Sequence, residues 1–133
     1  MKKLTLALLM AVLAFFVLPS CKKSDSNNEA GLVAETTPAN NSNNLNILGP
    51  DFPLKIEITS AMPSNGVKID ITAKKDGSAD PAFFTSTNTT SAPQNNYTIT
   101  NTPAGVTCIV NITITSLTKS TNQWMGSYRY SKK

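Results

Sequence analysis

Few side chains in this chain could carry acid–base or nucleophilic chemistry. None of the 133 residues is a histidine, which removes the commonest general base and the commonest metal ligand. Glu57 and Asp70 alternate with apolar neighbours, and this pattern indicates charges on a strand surface rather than a catalytic pair of carboxylates. The chain also has no glycine-rich nucleotide-binding motif. We therefore predict that the protein is not an enzyme and uses no cofactor.

One loop has oxygen-bearing side chains at the spacing with which a calcium site begins. Asp76, Ser78 and Asp80 stand at every second position. Pro81 then occupies the place of the turn glycine, and Thr87 the place of the bidentate glutamate. These departures favour a polar turn over a metal site. The three residues are therefore weak candidates, and we predict no bound metal.

The first twenty residues have the charge and hydropathy pattern of a secretory signal peptide. Lys2 and Lys3 are followed by an uncharged and mostly apolar run from Leu4 to Ser20. This run is slightly shorter than the roughly 20 apolar residues that cross a bilayer, and Pro19 breaks its end. The pattern favours a cleaved signal helix, with an uncleaved membrane anchor as the alternative.

The four residues Leu18, Pro19, Ser20 and Cys21 resemble the lipobox of bacterial lipoproteins. In that family a leucine stands three residues before the cysteine, and Pro19 here replaces the usual small or β-branched residue. The resemblance implies cleavage after Ser20, a diacylglycerol on the Cys21 sulfur and a place at the outer membrane, on its periplasmic face or at the cell surface. Two or more acyl chains hold a protein firmly at a membrane. An ordinary signal peptide that leaves Cys21 as a free thiol is the alternative.

Residues 21–50 are predicted to form the lipidated N-terminus and a flexible linker. The stretches 24–28 and 40–44 are almost purely polar, and such a composition buries too little apolar surface to fold. Lysines directly after the cysteine, followed by a Ser/Asp/Asn-rich segment, are also similar to small envelope lipoproteins of the Bacteroidetes group. The apolar residues at 45–48 are the exception, since they favour a first short strand.

Residues 51–133 are the single predicted domain, an all-β, immunoglobulin-like sandwich of six or seven strands. Apolar and polar residues alternate with a period of two in the segments 54–59, 67–74, 97–100, 106–115 and 123–131. Such alternation, rich in β-branched residues, is typical of strands with one buried face. Turn-forming pairs such as Asn65-Gly66 separate the segments at the short spacing of sandwiches and barrels. The polar stretch 85–96 is predicted to be a long loop.

The last of these segments carries three aromatic residues of one parity, Trp124, Tyr128 and Tyr130. The opposite parity includes Arg129, which is hard to bury alone, and we therefore predict that the aromatic side faces the core. The alternative places the three aromatic residues outside, as a ligand-facing strip for a glycan or an envelope protein. Cys108 has the parity of the apolar residues in its own segment and is predicted to be a buried, unpaired cysteine.

Charge and location together define the function that the sequence supports. The net charge of +4 falls to +2 when Lys2 and Lys3 leave with the signal peptide, and the remaining basic residues are scattered. We therefore predict no nucleic-acid partner, because such binding needs basic residues clustered on one face. We predict a lipid-anchored, non-enzymatic binding or structural module of the outer membrane or cell surface. Its partners would be the membrane, through Cys21, and a glycan or an envelope protein. The alternative is an inhibitor or accessory lipoprotein that acts on an envelope enzyme.

Overall fold

The structure, a computed structural model, describes residues 28–133. The predicted signal peptide, the cleavage residues Leu18, Pro19 and Ser20, and the lipidation site Cys21 lie outside the described residues. Residues 28–133 form eight strands and no helix, so this part of the chain has no helix that could span a membrane. The strands are β1 (Ala34–Thr37), β2 (Asn43–Ile47), β3 (Phe52–Ile58), β4 (Val67–Lys75), β5 (Phe84–Thr90), β6 (Gln94–Ile99), β7 (Thr107–Ser116) and β8 (Gln123–Lys132).

The eight strands form two sheets. One has the order β1-β3-β6 and the other the order β2-β8-β7-β4-β5. All neighbours are antiparallel except β2, which runs parallel to β8. This order, with β3 and β6 in one sheet and β4, β7 and β8 in the other, is that of an immunoglobulin-like sandwich. The predicted all-β sandwich is confirmed, with eight strands in place of six or seven.

The core lies between the two sheets and follows the alternation of the sequence. In β4 and β7 every second residue is buried, and the register sets Ile69 beside Ile114 and Ile71 beside Ile112. Ile56 of β3 is fully buried in the opposite sheet. Burial of one such side chain contributes roughly 1.5–3 kcal/mol. The β-branched residues that favour extended backbone therefore also hold the two sheets together.

Much of the predicted flexible linker belongs to the domain instead. Between positions 21 and 50, β1 pairs with β3 and β2 pairs with β8. Leu32 and Ala34 are buried, and the Asn122 side chain donates a hydrogen bond to the carboxylate of Glu29. The linker prediction is wrong for this part of the chain. Its polar residues contribute little apolar burial, but their backbone groups complete an edge of each sheet, which composition does not reveal.

The stretch 85–96, predicted to be a long loop, is also strand. It forms most of β5 and the start of β6, with a short connection at 91–93. β5 is one of the two edge strands of the five-stranded sheet, and β6 is one of the two edge strands of the other. The loop prediction is wrong because edge strands of Thr, Ser and Asn pair through their backbones while most of their side chains stay outside the core.

The strands run between two ends of the sandwich. At the N-terminal pole lie residue 28 and the loops 59–66 and 117–122. At the C-terminal pole lie the last residues of β2 and β8 and the first residues of β3. The turn predicted at Asn65-Gly66 closes the first of these loops, with a Gly66 φ of +78° that glycine adopts without strain.

Candidate functional site

Strand β8 places two of its three aromatic residues deep in the core. Tyr128 and Tyr130 are 2% and 1% exposed, and the predicted inward orientation is confirmed for both. Trp124 has the same parity but is only partly buried where it packs against the core. Arg129 is exposed on the other side of the strand, where its Nε donates a hydrogen bond to Asp76 Oδ2 at 2.6 Å.

The Trp124 ring covers Gly126, two residues further along the same side of β8. A Cβ atom at position 126 would overlap the ring, so only glycine leaves room for this arrangement. An aromatic ring laid over a strand glycine shields backbone that would otherwise be open. The position of Trp124 is therefore explained by packing within its own strand.

Both the hydroxyl and the ring of Tyr130 have partners in the core. Its hydroxyl lies 2.7 Å from the Thr102 hydroxyl, and the two share a buried hydrogen bond. Its ring centroid lies 4.9 Å from that of Phe52 in the opposite sheet. Burial raises the pKa of Tyr130 to about 12, although the bond to Thr102 acts in the other direction. The hydroxyl therefore stays protonated at neutral pH and serves packing.

Tyr128 is as deeply buried, but its hydroxyl has no hydrogen-bond partner among the described residues. Burial, with a smaller contribution from Tyr130, raises the pKa of Tyr128 well above its usual value. The group is therefore a neutral hydroxyl that can donate. An unpaired buried hydroxyl costs about 1–3 kcal/mol. Such an atom in a folded protein requires a reason.

A cavity of about 410 Å³ lies beside the Tyr128 ring, which forms part of its wall. The Tyr128 hydroxyl has almost no accessible surface, so it is not exposed to this cavity. Residues of both sheets contribute to its wall, and sites for small molecules commonly enclose about 300–1,000 Å³. The lining is chiefly apolar and includes four aromatic residues, Phe52, Tyr97, Tyr128 and Tyr130. Lys55 is the one charged residue among the described residues that line it. The arrangement suits an apolar ligand with few polar groups.

The path of the first two strands explains why this space is left open. β1 pairs with β3 only along Lys55–Ile58, and the chain then passes Pro38 and joins the other sheet as β2. The first residues of β3, Phe52–Leu54, pair with β6 on one edge. On the other edge, where β1 would continue, they have no strand neighbour within the described chain. Thr37, Pro38 and Ile47 border the cavity where such a strand would continue. The cavity is therefore left open because β1 belongs to one sheet and β2, the next strand of the chain, belongs to the other.

The weak metal candidates Asp76, Ser78 and Asp80 take part in other interactions. Asp76 bonds to Arg129, and Asp80 Oδ2 lies 3.3 Å from Lys75 Nζ. The Ser78 hydroxyl accepts a hydrogen bond from the Asp80 backbone at 3.0 Å. The interactions with Ser78 and Lys75 lower the pKa of Asp80. Between residues 28 and 133, no three or more acidic or cysteine side chains are grouped so that they could hold a metal ion.

Cys108 is fully buried in β7, as its parity predicts. It forms no disulfide, and burial raises the pKa of its thiol. Because the thiolate is the reactive form, this cysteine is held in its unreactive state and acts as a small core residue.

Comparison of the chain with models of known protein families, with curated proteins and with solved structures finds no match in any of the three. The sequence did not mark Phe52 or Tyr97 as cavity-lining residues, or Thr102 as the hydrogen-bond partner of Tyr130. Phe52 could have been found, because it stands two residues before Leu54, the first residue of the predicted segment 54–59, and has the same parity. Thr102 lies outside the strands, and nothing local marks it as the partner of Tyr130.

Proposed function

We propose that the protein is a non-enzymatic binding module, anchored to the outer membrane of a bacterium by a lipid on Cys21. The anchor rests on the lipobox-like residues Leu18 to Cys21 and the signal pattern before them. The binding role rests on one observation, the chiefly apolar cavity whose wall includes Phe52, Tyr97 and Tyr128. An apolar space with a few placed polar groups is the usual composition of a ligand site.

Binding without catalysis fits the chemistry of the cavity wall. Its described lining residues include no carboxylate and no thiol. The hydroxyls of Tyr128 and Tyr130 have raised pKa values, so they are poor general bases near neutral pH. Such a wall can hold and orient a ligand.

In this proposal the lipid anchor and the cavity lie towards opposite ends of the domain. Asn28 is the seventh residue after Cys21, so the chain between them reaches at most roughly 25 Å. Glu29 is bonded to Asn122 at the N-terminal pole, and this pole would therefore face the bilayer. The cavity is lined by the first residues of β3 and by Tyr130 near the end of β8. It therefore lies in the half of the domain that would point away from the bilayer. A ligand would thus enter from the aqueous side.

Metabolic labelling tests the anchor. Cells that make the chain are fed an alkyne analogue of palmitate, and label on the purified protein is measured. We expect label on the wild type and none on Cys21→Ser. Cys108→Ala, which removes the other cysteine, should keep the label. Equal labelling of wild type and Cys21→Ser would reject the anchor.

Crosslinking in intact cells, followed by purification of the chain and its adducts, tests the location. Recovery with outer-membrane components is expected, and recovery with inner-membrane proteins alone would contradict it. The role of an inhibitor or accessory to an envelope enzyme stays a prediction, and a stoichiometric adduct with one envelope enzyme would favour it.

A further inference from the structure

We infer that β5 pairs antiparallel with β5 of a second copy of this chain, so that the two five-stranded sheets continue into each other. The surface concerned is the free edge of Phe84–Thr90, where the five-stranded sheet ends within the described residues. This inference goes beyond the proposed function. It uses neither the lipid anchor nor the cavity, to whose described lining β5 contributes no residue.

The backbone of β5 presents a regular set of outward hydrogen-bonding groups. The Leu117 N–H donates to the Gly66 carbonyl at 3.0 Å, so the even-numbered residues of β4 bond to β7 and the odd-numbered ones to β5. Those odd-numbered residues stand opposite the even-numbered residues of β5, in a register without a break. The N–H and C=O groups of Thr85, Thr87 and Thr89 therefore point away from the sheet. Such an edge can accept another strand.

Charge and shape leave this edge unprotected. Proteins usually protect an edge strand with charged residues, a bulge, a proline or a very short length. β1 is four residues long and carries Glu35, and β2 has a break in register between Asn44 and Ile47. β5 has seven residues in unbroken register, and none of them is charged or a proline.

The composition of β5 favours its own copy as the partner. Two-fold symmetric pairing brings the charges of identical strands together, and β5 has none to repel. A register centred on Thr87 sets Thr87 opposite Thr87 of the second copy, and Thr85 opposite Thr89. Every outward group is then paired, with two bonds in each pair, and the cross-strand threonine pairs add stability. β6 is also an uncharged edge, but it has fewer of the β-branched residues that favour strands.

The pairing determines how the two copies are arranged. Thr90 lies beside Gly66 at the N-terminal pole, since a Cβ atom on Gly66 would be 2.6 Å from the Thr90 carbonyl oxygen. Phe84, at the other end of β5, meets Thr90 of the second copy. The N-terminal poles of the two copies therefore lie at opposite ends of the dimer. Copies held in one membrane by the short chain before Asn28 could not pair in this way, so the test uses a chain without the anchor.

Sedimentation equilibrium of residues 22–133, which contain all eight strands and lack Cys21, tests the pairing. We expect a reversible equilibrium between monomer and dimer. Thr87→Lys places two like charges at the centre of the pair and should weaken the dimer roughly three- to tenfold.

Thr113→Lys is the matched control. Thr87 and Thr113 stand on either side of Asp70 on the outer face of the sheet, but Thr113 belongs to the central strand β7. The same charge there should leave the dimer unchanged. Both variants should keep a melting temperature close to that of the wild type, because both positions are on the outer face.

Disulfide formation tests the register. Thr87→Cys would place two cysteines across the symmetry axis with Cα atoms about 5.5 Å apart, which is within disulfide range. Thr85→Cys would place them four residues out of register, at about 13 Å, which is too far. Under mild oxidation we expect a cross-linked dimer for Thr87→Cys and little for Thr85→Cys. The parent chain should not cross-link, because Cys108 is buried.

Three outcomes would overturn the inference. One is equal weakening of the dimer by Thr87→Lys and Thr113→Lys. Another is equal cross-linking of Thr85→Cys and Thr87→Cys. The third is a wild-type chain that stays monomeric up to about 1 mM. Binding of a peptide of residues 84–90 by such a monomer would assign the edge to an extended segment of another protein.

Discussion

Tyr128 and Tyr130 lie two residues apart on one strand and are buried almost equally, yet their hydroxyls differ in surroundings. The Tyr130 hydroxyl shares a bond with Thr102, while the Tyr128 hydroxyl has no partner within residues 28–133. Removal of the hydroxyl oxygen should therefore lower stability at position 130 and should not lower it at position 128. Sequence parity alone could not distinguish them, since Thr102 is 28 residues away from Tyr130.

Tyr130→Phe should lower the free energy of unfolding by about 1–3 kcal/mol, because it leaves the buried Thr102 hydroxyl without a partner. Tyr128→Phe should be neutral or stabilising by about 1 kcal/mol, because it removes an unsatisfied oxygen. Urea unfolding of the ligand-free protein measures both values. A loss of more than about 1 kcal/mol in Tyr128→Phe would mean that its hydroxyl is bonded in the folded state.

The contact between Trp124 and Gly126 gives a second test at the scale of single residues. Gly126→Ala should destabilise the domain by about 1–3 kcal/mol, since the new methyl group displaces the indole. Trp124→Ala should cost less than the 3–5 kcal/mol of a fully buried tryptophan, because this ring is only partly buried. In the double variant the cost of Gly126→Ala should largely disappear. Additive effects in urea unfolding would contradict the contact.

At the scale of elements, β1 and β2 move the start of the folded domain towards the N-terminus. The predicted domain begins at residue 51, whereas two strands before that position complete the sheets. β1 covers the edge of β3 at Ile58, and β2 covers the edge of β8. A chain without β1 and β2 would leave the backbone hydrogen-bonding groups along these edges of β3 and β8 open to water.

A chain that starts at Asp51 should therefore fail to melt cooperatively, whereas residues 28–133 should show one sharp transition. Loss of Leu32 and Ala34 from the core and of two sets of strand hydrogen bonds is the physical reason. Circular dichroism during heating compares the two chains. The same sharp transition in both would restore the sequence-based boundary and show that the first two strands are dispensable.

The predictable strands are those whose buried face is made of β-branched residues. In β4 and β7 the alternation of Ile and Val with polar residues locates the strand and its inner side. β5 could not be found in this way, because Phe84–Thr90 consists mostly of Thr, Ser and Asn and has little apolar parity. The cavity could not be found either, since it arises where β1 leaves one sheet after Thr37 for a pairing formed with a distant strand.

At the scale of the whole molecule, three buried groups in the described part of the chain couple stability to alkaline pH. Burial raises the pKa values of Cys108, Tyr128 and Tyr130 above their ordinary values of 9.0 for the thiol and 10.0 for the phenols. As the pH rises, the unfolded chain loses these protons first, so the folded state holds more protons and stability falls. Below the ordinary values both states are protonated, and these groups have no effect.

The melting temperature should therefore decline steadily from about pH 9 to about pH 12, the pKa of Tyr130 in the folded protein. Thermal melts across that interval measure the decline, and Tyr128→Phe should make it shallower because one ionising group is removed. A melting temperature that stays constant up to pH 11 would show that these groups ionise in the folded protein as easily as in the unfolded chain.

The parallel pairing of β2 with β8 also determines how the domain would carry load. Residue 28 and the end of β8 lie at opposite poles, so a pull between them acts along the strands. The backbone bonds from Asn41 to Ser127, from Arg129 to Ser42 and from Lys133 to Ile47 all cross that line. Under such a pull they are strained together and must break together. A domain tied to a membrane at one end and to a partner at the other would resist extension through this strand pair.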